Sequence, residues 1–413
     1  MEIPGLRCLS PIAGRSRHHP GGQAAVGMSP TSASARLGTY YAALFVAVGI
    51  HIPFWPLWLQ SRGMSASEIG LVAAAGYLTR ILASPVIGHL ADHGGQRRLL
   101  MIRLALAAGL IWLLFPLANG FWPILVLSVV AIFPFTGLVP LGDTLAMMVV
   151  SRHGLDYGRA RLWGSLSFIA AATLLGKALE SWPVAVLPWL MTGALLLTAA
   201  SCLGLPDIKV PRHEGKPPSL RPVLLNPLFL LFLGTTALNQ MAHTVYYAFA
   251  TIHWKAAGLS DMVIGVLWSE GVVAEIILFA VSNRVVGRFG PAALLLAAAL
   301  GGVVRWLLLG STASLPLVAL AQLLHAATFG CAHLGAIHFI ARAVPAGLSA
   351  RTQGIFAAMA IGLAPGLITP FSGRLYENLG GGSYLAMAGL SVMSAGLAWA
   401  LMRRWTSGAR ITE

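Results

Sequence analysis

The sequence predicts an all-α membrane protein of twelve transmembrane helices, arranged as two six-helix halves with internal pseudo-symmetry. Three observations predict it. Only 10% of the 413 residues are Asp, Glu, Lys or Arg, against roughly a quarter in soluble proteins, while 57% are apolar and the mean hydropathy is +0.77. The apolar runs recur at about 20 residues, the length a helix needs to cross a roughly 30 Å hydrocarbon layer. The segment Gly63-Met-Ser-Ala-Ser-Glu-Ile-Gly70 realigns with Gly258-Leu-Ser-Asp-Met-Val-Ile-Gly265 at an offset of 195 residues, each just after the first apolar run of its half. This composition excludes a soluble enzyme. Parallel repeats of this kind put a substrate site between the halves, near the midplane.

Taken in order, residues 1–37 carry Arg7, Arg15 and Arg17 with several Gly and Pro but no apolar core, so they are neither signal peptide nor span and are expected to form a flexible cytoplasmic tail. Met28 is a second candidate start. Hydropathy then gives spans at 38–59, 67–90, 99–118, 122–149, 159–180 and 184–205, which make a first half over 38–205. Residues 206–222, with Lys209, Arg212, Lys216, Arg221 and five prolines, cannot continue a helix and form a hydrated cytoplasmic linker. The second half, 223–404, holds spans at 223–252, 262–283, 291–311, 314–341, 351–373 and 382–403, followed by a short cytoplasmic tail, 405–413.

The formal charge of +14 would suggest nucleic acid in a soluble chain, but its placement is topological. Putting both termini and the even-to-odd loops in the cytoplasm collects 21 of the 27 cations there, leaving only Arg62, Arg80, Lys177, Lys255, Arg305 and Arg374 elsewhere. That bias fits the positive-inside rule, with both termini cytoplasmic and the lipid bilayer as the chain's solvent; nucleic acid is not an expected partner. Cys8, Cys202 and Cys331 are far apart, in no spacing that suggests a disulfide framework or a zinc cluster.

After the second span stands Gly88-His-Leu-Ala-Asp92-His-Gly-Gly95-Gln-Arg97-Arg98. It resembles the loop signature of the major facilitator superfamily, departing from it at His93 and Gln96, where a cation is usual. Gly88 and Gly95 let two helices approach, Asp92 can cap or pair at the cytoplasmic end, and Arg97 and Arg98 suit the anionic leaflet. The counterpart at Asn283–Gly290 keeps Arg288 and Gly290 but lacks the acid. From Gly38 onward the chain is similar to the phenylpropionic acid permease branch of that superfamily, and more distantly to lactose permease. The residues that carry the similarity are Ile52-Pro-Phe-Trp-Pro-Leu-Trp58, Pro140-Leu-Gly-Asp143, Asp156-Tyr-Gly-Arg-Ala-Arg161-Leu-Trp163-Gly-Ser165, Tyr246-Tyr247 and Gly271-Val-Val-Ala-Glu275. The resemblance implies the major facilitator fold and a non-enzymatic secondary transporter, working as a monomer by alternating access. It further implies proton-driven uptake of a small aromatic monocarboxylate across a bacterial inner membrane, without a cofactor or metal. A sugar or other neutral solute is the alternative.

Ionisable side chains inside spans cost about 2.5 to 3.5 kcal/mol each on insertion scales. The deep set is Asp143, Glu270 and Glu275 against Arg80, Arg161 and Arg305. Asp143 and Arg161, on consecutive spans, are expected to form a charge-assisted pair that binds substrate or simply joins two helices, and Trp163 is expected in the same substrate-binding set. Arg80 and Glu275 occupy equivalent places in the repeats and are expected on opposite walls of the cavity. Glu275 is the first candidate for the proton carrier, pairing with Arg305 in one state. Glu270 lies five residues earlier, about 140° round the helix, in a different environment. Asn239, His243, Tyr246 and Tyr247 form a polar stripe on span seven that lines a wet cavity or bonds helix to helix. Arg305 and His325 resemble the coupling region of lactose permease, except that Thr328 stands where that family has an acid. His325, His333 and His338 lack the spacing of a metal site.

Overall fold

The computed structural model of the protein describes residues 29–94, 96–153, 157–206, 219–405 and 411. Among these, helices long and apolar enough to cross a bilayer form eleven unbroken runs, and the longest covers 58 residues, Gly347–Arg404. That run turns back at Gly380, whose φ of +51° ends one helix before the next begins at Ser383. Twelve spans result. They are numbered α1 (Pro30–Ser61), α2 (Ala66–Gly94), α3 (Arg97–Trp112), α4 (Phe121–His153), α5 (Tyr157–Leu179), α6 (Leu187–Leu203), α7 (Pro227–Ala256), α8 (Asp261–Ala280), α9 (Pro291–Ser311), α10 (Leu315–Ala343), α11 (Ala346–Phe356 and Ala364–Leu379, joined through Ala357–Leu363) and α12 (Ser383–Arg404).

Four helices differ from expectation. Helix α1 starts two turns early, because the Ser29 side chain accepts from the Ser32 amide at 3.2 Å and Pro30 fills the first turn. The tail expected over 1–37 is therefore helical from Pro30; residues 1–28 lie outside the described residues, as do 207–218 of the linker. Helix α7 is two pieces, Pro227–Met241 and Thr244–Ala256, with a break at Ala242–His243. Helices α10 and α11 each contain a π turn, at Ala326–Cys331 and Ala357–Leu363, a local widening common at functional positions.

Within the first half α1 packs on α5 and α6, and α3 on α4 and α6. Between halves, α2 meets α11 and α5 meets α8, the pairing that a two-fold repeat demands. The contacts are uneven along the bundle axis. At the end opposite the termini a Cβ at Gly70 would stand 2.9 Å from the Gly373 Cα, and the Thr173 and Ser269 hydroxyls bond at 2.9 Å. Toward the termini the α2–α11 contact runs down to Ile81 against Gly362, while a Cβ at Gly88 or Gly354 would meet nothing within 4 Å. The buried apolar residues follow suit. One cluster joins both halves through Trp58, Leu175, Phe249 and Ile264, and a separate one around Phe232, Phe339 and Trp405 serves only the terminal end of the second half. The halves are thus closed away from the termini and parted near them.

Candidate functional site

Asp143 and Arg161 do not form the expected ion pair. The Tyr41 and Tyr157 hydroxyls donate to Asp143 Oδ1 at 2.6 and 3.0 Å, which satisfies the carboxylate. Tyr157, one turn before Arg161, occupies the place the guanidinium was expected to fill. Arg161 instead lies over the Phe45 ring at 4.0 Å and the Tyr41 ring at 5.4 Å. Gly164 admits this pose, since a Cβ there would stand 2.8 Å from Arg161 Nη1 and 3.0 Å from the Phe45 ring. Among the described residues Arg161 has no carboxylate within 4.0 Å. Arg161 and Glu275 lie on α5 and α8, which pack against each other between the halves. Trp163, two residues on and about 200° round α5, is 57% exposed and lies against Gly38 of α1; it leaves the expected binding set because it points away from the Arg161 face.

On α8, Gly271 lets α10 come close: a Cβ there would stand 3.3 Å from the His325 Cβ. One turn further, Glu275 Oε2 lies 3.8 Å from His325 Nε2. Arg305 does not pair with Glu275 as expected. Fully buried, it donates to His325 Nδ1 at 3.1 Å, to Thr328 Oγ1 at 2.9 Å and to Gln322 Oε1 at 3.0 Å, and it lies 4.4 Å over the Tyr246 ring. The reason is the missing acid: Thr328 and Gln322 offer neutral acceptors, and the ring faces of Tyr246 and Trp306 supply the remaining attraction. Arg305 therefore reaches Glu275 only through the imidazole between them.

The span-seven stripe divides. Asn239 Nδ2 donates to the Thr328 carbonyl at 3.1 Å, and His243 Nδ1 donates to the Asn239 carbonyl at 2.7 Å. Tyr246 Oη accepts from Gln322 Nε2 at 2.9 Å. All three side chains are buried as bonds within the second half, not on a wet wall as one of the two expectations had it. The break at Ala242–His243 accounts for the split, because it removes the continuous face on which the stripe was drawn. Tyr247 alone is half-buried, stacked on His243 and Trp268. Arg80 is exposed above the Tyr77 ring at 5.7 Å and within electrostatic range of His51. It shares no ion pair with Glu275 or any other described acid. Glu270 sits apart in an apolar outer groove with Val266, Val273, Ile277 and Leu323.

In the loop signature, Arg97 Nη2 bonds Asp92 Oδ1 at 3.0 Å and Arg97 is buried, so it is a pairing residue and not the leaflet anchor expected of it. Arg98 donates to the Leu205 carbonyl at 3.3 Å and caps the end of α6. Gly88 lies within α2 and makes no close helix approach, since a Cβ there would meet nothing within 4 Å, contrary to expectation, and Gly95 lies outside the described residues. Residues passed over in the sequence are Tyr41, Phe45 and Tyr157 around Asp143 and Arg161, and Gln322, which the Arg305 and Tyr246 bonds make central. A lone amide in the apolar run Leu315–Leu323 was the available signal for Gln322, by the same cost argument that singled out the charges.

Residues 35–386 match the MFS_1 like family. The chain belongs to that family of major facilitator transporters. It is 36% identical over 356 residues to the probable 3-phenylpropionic acid transporter of Escherichia coli (strain K12), covering 84% of this chain and 92% of that one. It is 28% identical over 348 residues to the maltose permease of Geobacillus stearothermophilus, covering 82% and 86%. Among solved structures, the nucleoside transporter NupG superposes with a TM-score of 0.75 at 15% identity, covering 90% of this chain and 99% of that one, which shows the fold. This member of the MFS_1 like family is accordingly a multi-pass membrane transporter, not an enzyme.

Proposed function

We propose that the protein takes up a small organic anion, an aromatic monocarboxylate such as phenylpropionate, together with protons, by alternating access across a bacterial inner membrane with both termini cytoplasmic. The observation that carries this reading is Arg161, a guanidinium held on the Phe45 and Tyr41 rings with no carboxylate partner within 4.0 Å among the described residues, at the cleft between the halves. Such a cation offers a planar fork to a carboxylate, and the rings beneath and opposite it, with Tyr247, suit an aromatic body. The exposed Arg80, on α2 of the same half, offers a second positive charge.

Coupling requires that proton and substrate bias one conformational equilibrium. In this reading Glu275 carries the proton and Arg161 the substrate anion, each acting on the other across the cleft: an ionised Glu275 competes with the substrate for Arg161, and its protonation releases the cation. With the termini in the cytoplasm, the parted end of the bundle is the inward-open one. The relative named a probable 3-phenylpropionic acid transporter supports the solute class, while the maltose permease likeness keeps a sugar symporter as the second reading. The test is uptake into proteoliposomes with an imposed pH gradient. Accumulation of labelled 3-phenylpropionate that collapses when the gradient is dissipated is expected; accumulation of maltose with none of the acid would overturn the proposal.

A further inference from the structure

Tyr41 touches both members of the ion pair that does not form. Its hydroxyl donates to Asp143 Oδ1 at 2.6 Å, while its ring lies 5.4 Å from the Arg161 guanidinium. Tyr157, half-buried on α5, donates to the same oxygen at 3.0 Å, and the two phenol rings meet edge to face at 6.4 Å. Tyr157 and Arg161 are four residues apart and share a face of α5, so the arginine stands one turn from a residue that does reach Asp143. Local packing brings the first phenol in. A Cβ at Gly142 would run into the Tyr40 ring, so this glycine lets α1 lie close on α4, and the Tyr40 hydroxyl fixes the contact by donating to the Leu138 carbonyl at 2.6 Å. Tyr41, next in sequence and fully buried, is thereby carried to the carboxylate.

Asp92 takes Arg97 at 3.0 Å and Asp261 takes Lys255 at 2.7 Å; Asp143 takes neutral donors instead. Phenol hydroxyls satisfy an ionised carboxylate without cancelling the charge of a nearby guanidinium. What they change is the state of Arg161. An arginine paired with Asp143 would have to break that pair before it could receive an external anion, whereas one resting on aromatic faces keeps its N–H donors for the newcomer.

We infer that Tyr41 and Tyr157 are positioning residues that hold Asp143 off Arg161, and that this separation makes the site selective for an anionic solute over a neutral one. The selectivity rests on the reading of Arg161 as the substrate cation and deepens it, because the preference for a carboxylate is then set by two phenols that need not touch the substrate. Without their hydroxyls Asp143 loses both donors. Arg161, on the same face of α5 as Tyr157, is the cation positioned to replace them.

The test titrates purified full-length protein with 3-phenylpropionate. Replacing both phenols, Tyr41→Phe with Tyr157→Phe, should weaken binding about tenfold, the loss expected when one charge-assisted hydrogen bond is given up. Adding Asp143→Asn removes the charge that captures Arg161 and should restore most of the lost affinity, which a merely structural defect at the two phenols would not allow. No loss in the double phenylalanine variant, or a loss that Asp143→Asn does not repair, would overturn the inference.

A second measurement needs no substrate. The melting-temperature shifts of Asp143→Asn and Arg161→Gln should add while both tyrosines are present and should depart from additivity once both are phenylalanine, because only then do the two charges meet. Additive shifts in both backgrounds would sink the positioning role. If 3-phenylpropionate fails to bind the unsubstituted protein while the shifts behave as expected, the substrate reading falls and the selectivity with it, and the separation of the two charges stands. If the double phenylalanine variant does not insert, Tyr157→Phe alone decides by the same two comparisons.

Discussion

Arg305 Nη1 donates to His325 Nδ1 at 3.1 Å, and this bond decides which imidazole nitrogen faces Glu275. An arginine donates and never accepts, so Nδ1 is the acceptor and the proton of the neutral ring sits on Nε2, 3.8 Å from Glu275 Oε2. The carboxylate therefore has an N–H donor before it and a buried guanidinium one ring beyond.

The first prediction follows from that chain. Glu275→Gln holds the neutral form permanently, so proton-driven accumulation should be abolished while exchange between equal substrate concentrations continues. Glu270→Gln, in its separate outer groove, should leave accumulation intact. Proteoliposomes with and without a pH gradient, compared with counterflow, separate the two. Loss of accumulation in Glu270→Gln alone would move the carrier to the outer groove.

Gln322 should behave as a positioning residue. It accepts from Arg305 Nη2 and donates to Tyr246 Oη and the Leu267 carbonyl, so Gln322→Leu takes this partner from the buried Arg305 Nη2 and Tyr246 Oη, while the Leu267 carbonyl keeps its bond within the helix. A destabilisation of about 1–3 kcal/mol is expected, measured by thermal melting of the purified protein. Because Arg305 loses one of its anchors, the pH dependence of uptake should shift as well, which a packing defect alone would not produce.

Labelling tests how α7 presents its polar side chains. Tyr247→Cys should react with a soluble maleimide and be protected by substrate, whereas Asn239→Cys and His243→Cys should stay unreactive in the state described. Equal reactivity at all three would mean that the break at Ala242–His243 does not divide the stripe.

How far the sequence reached depends on what kind of force was being read. Span number and the need to shelter Asp143, Glu275, Arg161 and Arg305 from lipid follow from the cost of polar groups in lipid, which acts on each residue singly. Partner choice does not. Arg305 could have met Glu275, yet Gln322 and Thr328 intervene, and Asp143 could have met Arg161, yet two tyrosine hydroxyls reach it first; such outcomes depend on helix rotation within a few ångströms. The break in α7 and the π turns in α10 and α11 are likewise tertiary, since no proline or glycine pair marks Ala242–His243.

The last prediction concerns the substrate cation. The Arg161 guanidinium lies over the Phe45 ring, 4.0 Å away, and has no carboxylate within 4.0 Å among the described residues. Lysine keeps the charge but loses both the planar stacking surface and the bidentate fork. Arg161→Lys should therefore weaken binding of 3-phenylpropionate by about tenfold or more, one charge-assisted hydrogen bond being worth about 1.5–3 kcal/mol, with little change in melting temperature. Phe45→Leu removes only the ring beneath the guanidinium and should weaken binding by less, about 0.5–2 kcal/mol for the cation–π contact. Titration calorimetry on purified protein measures both. A fall in melting temperature with unchanged affinity would return Arg161 to a purely structural role and leave Arg80 as the cation that meets the substrate.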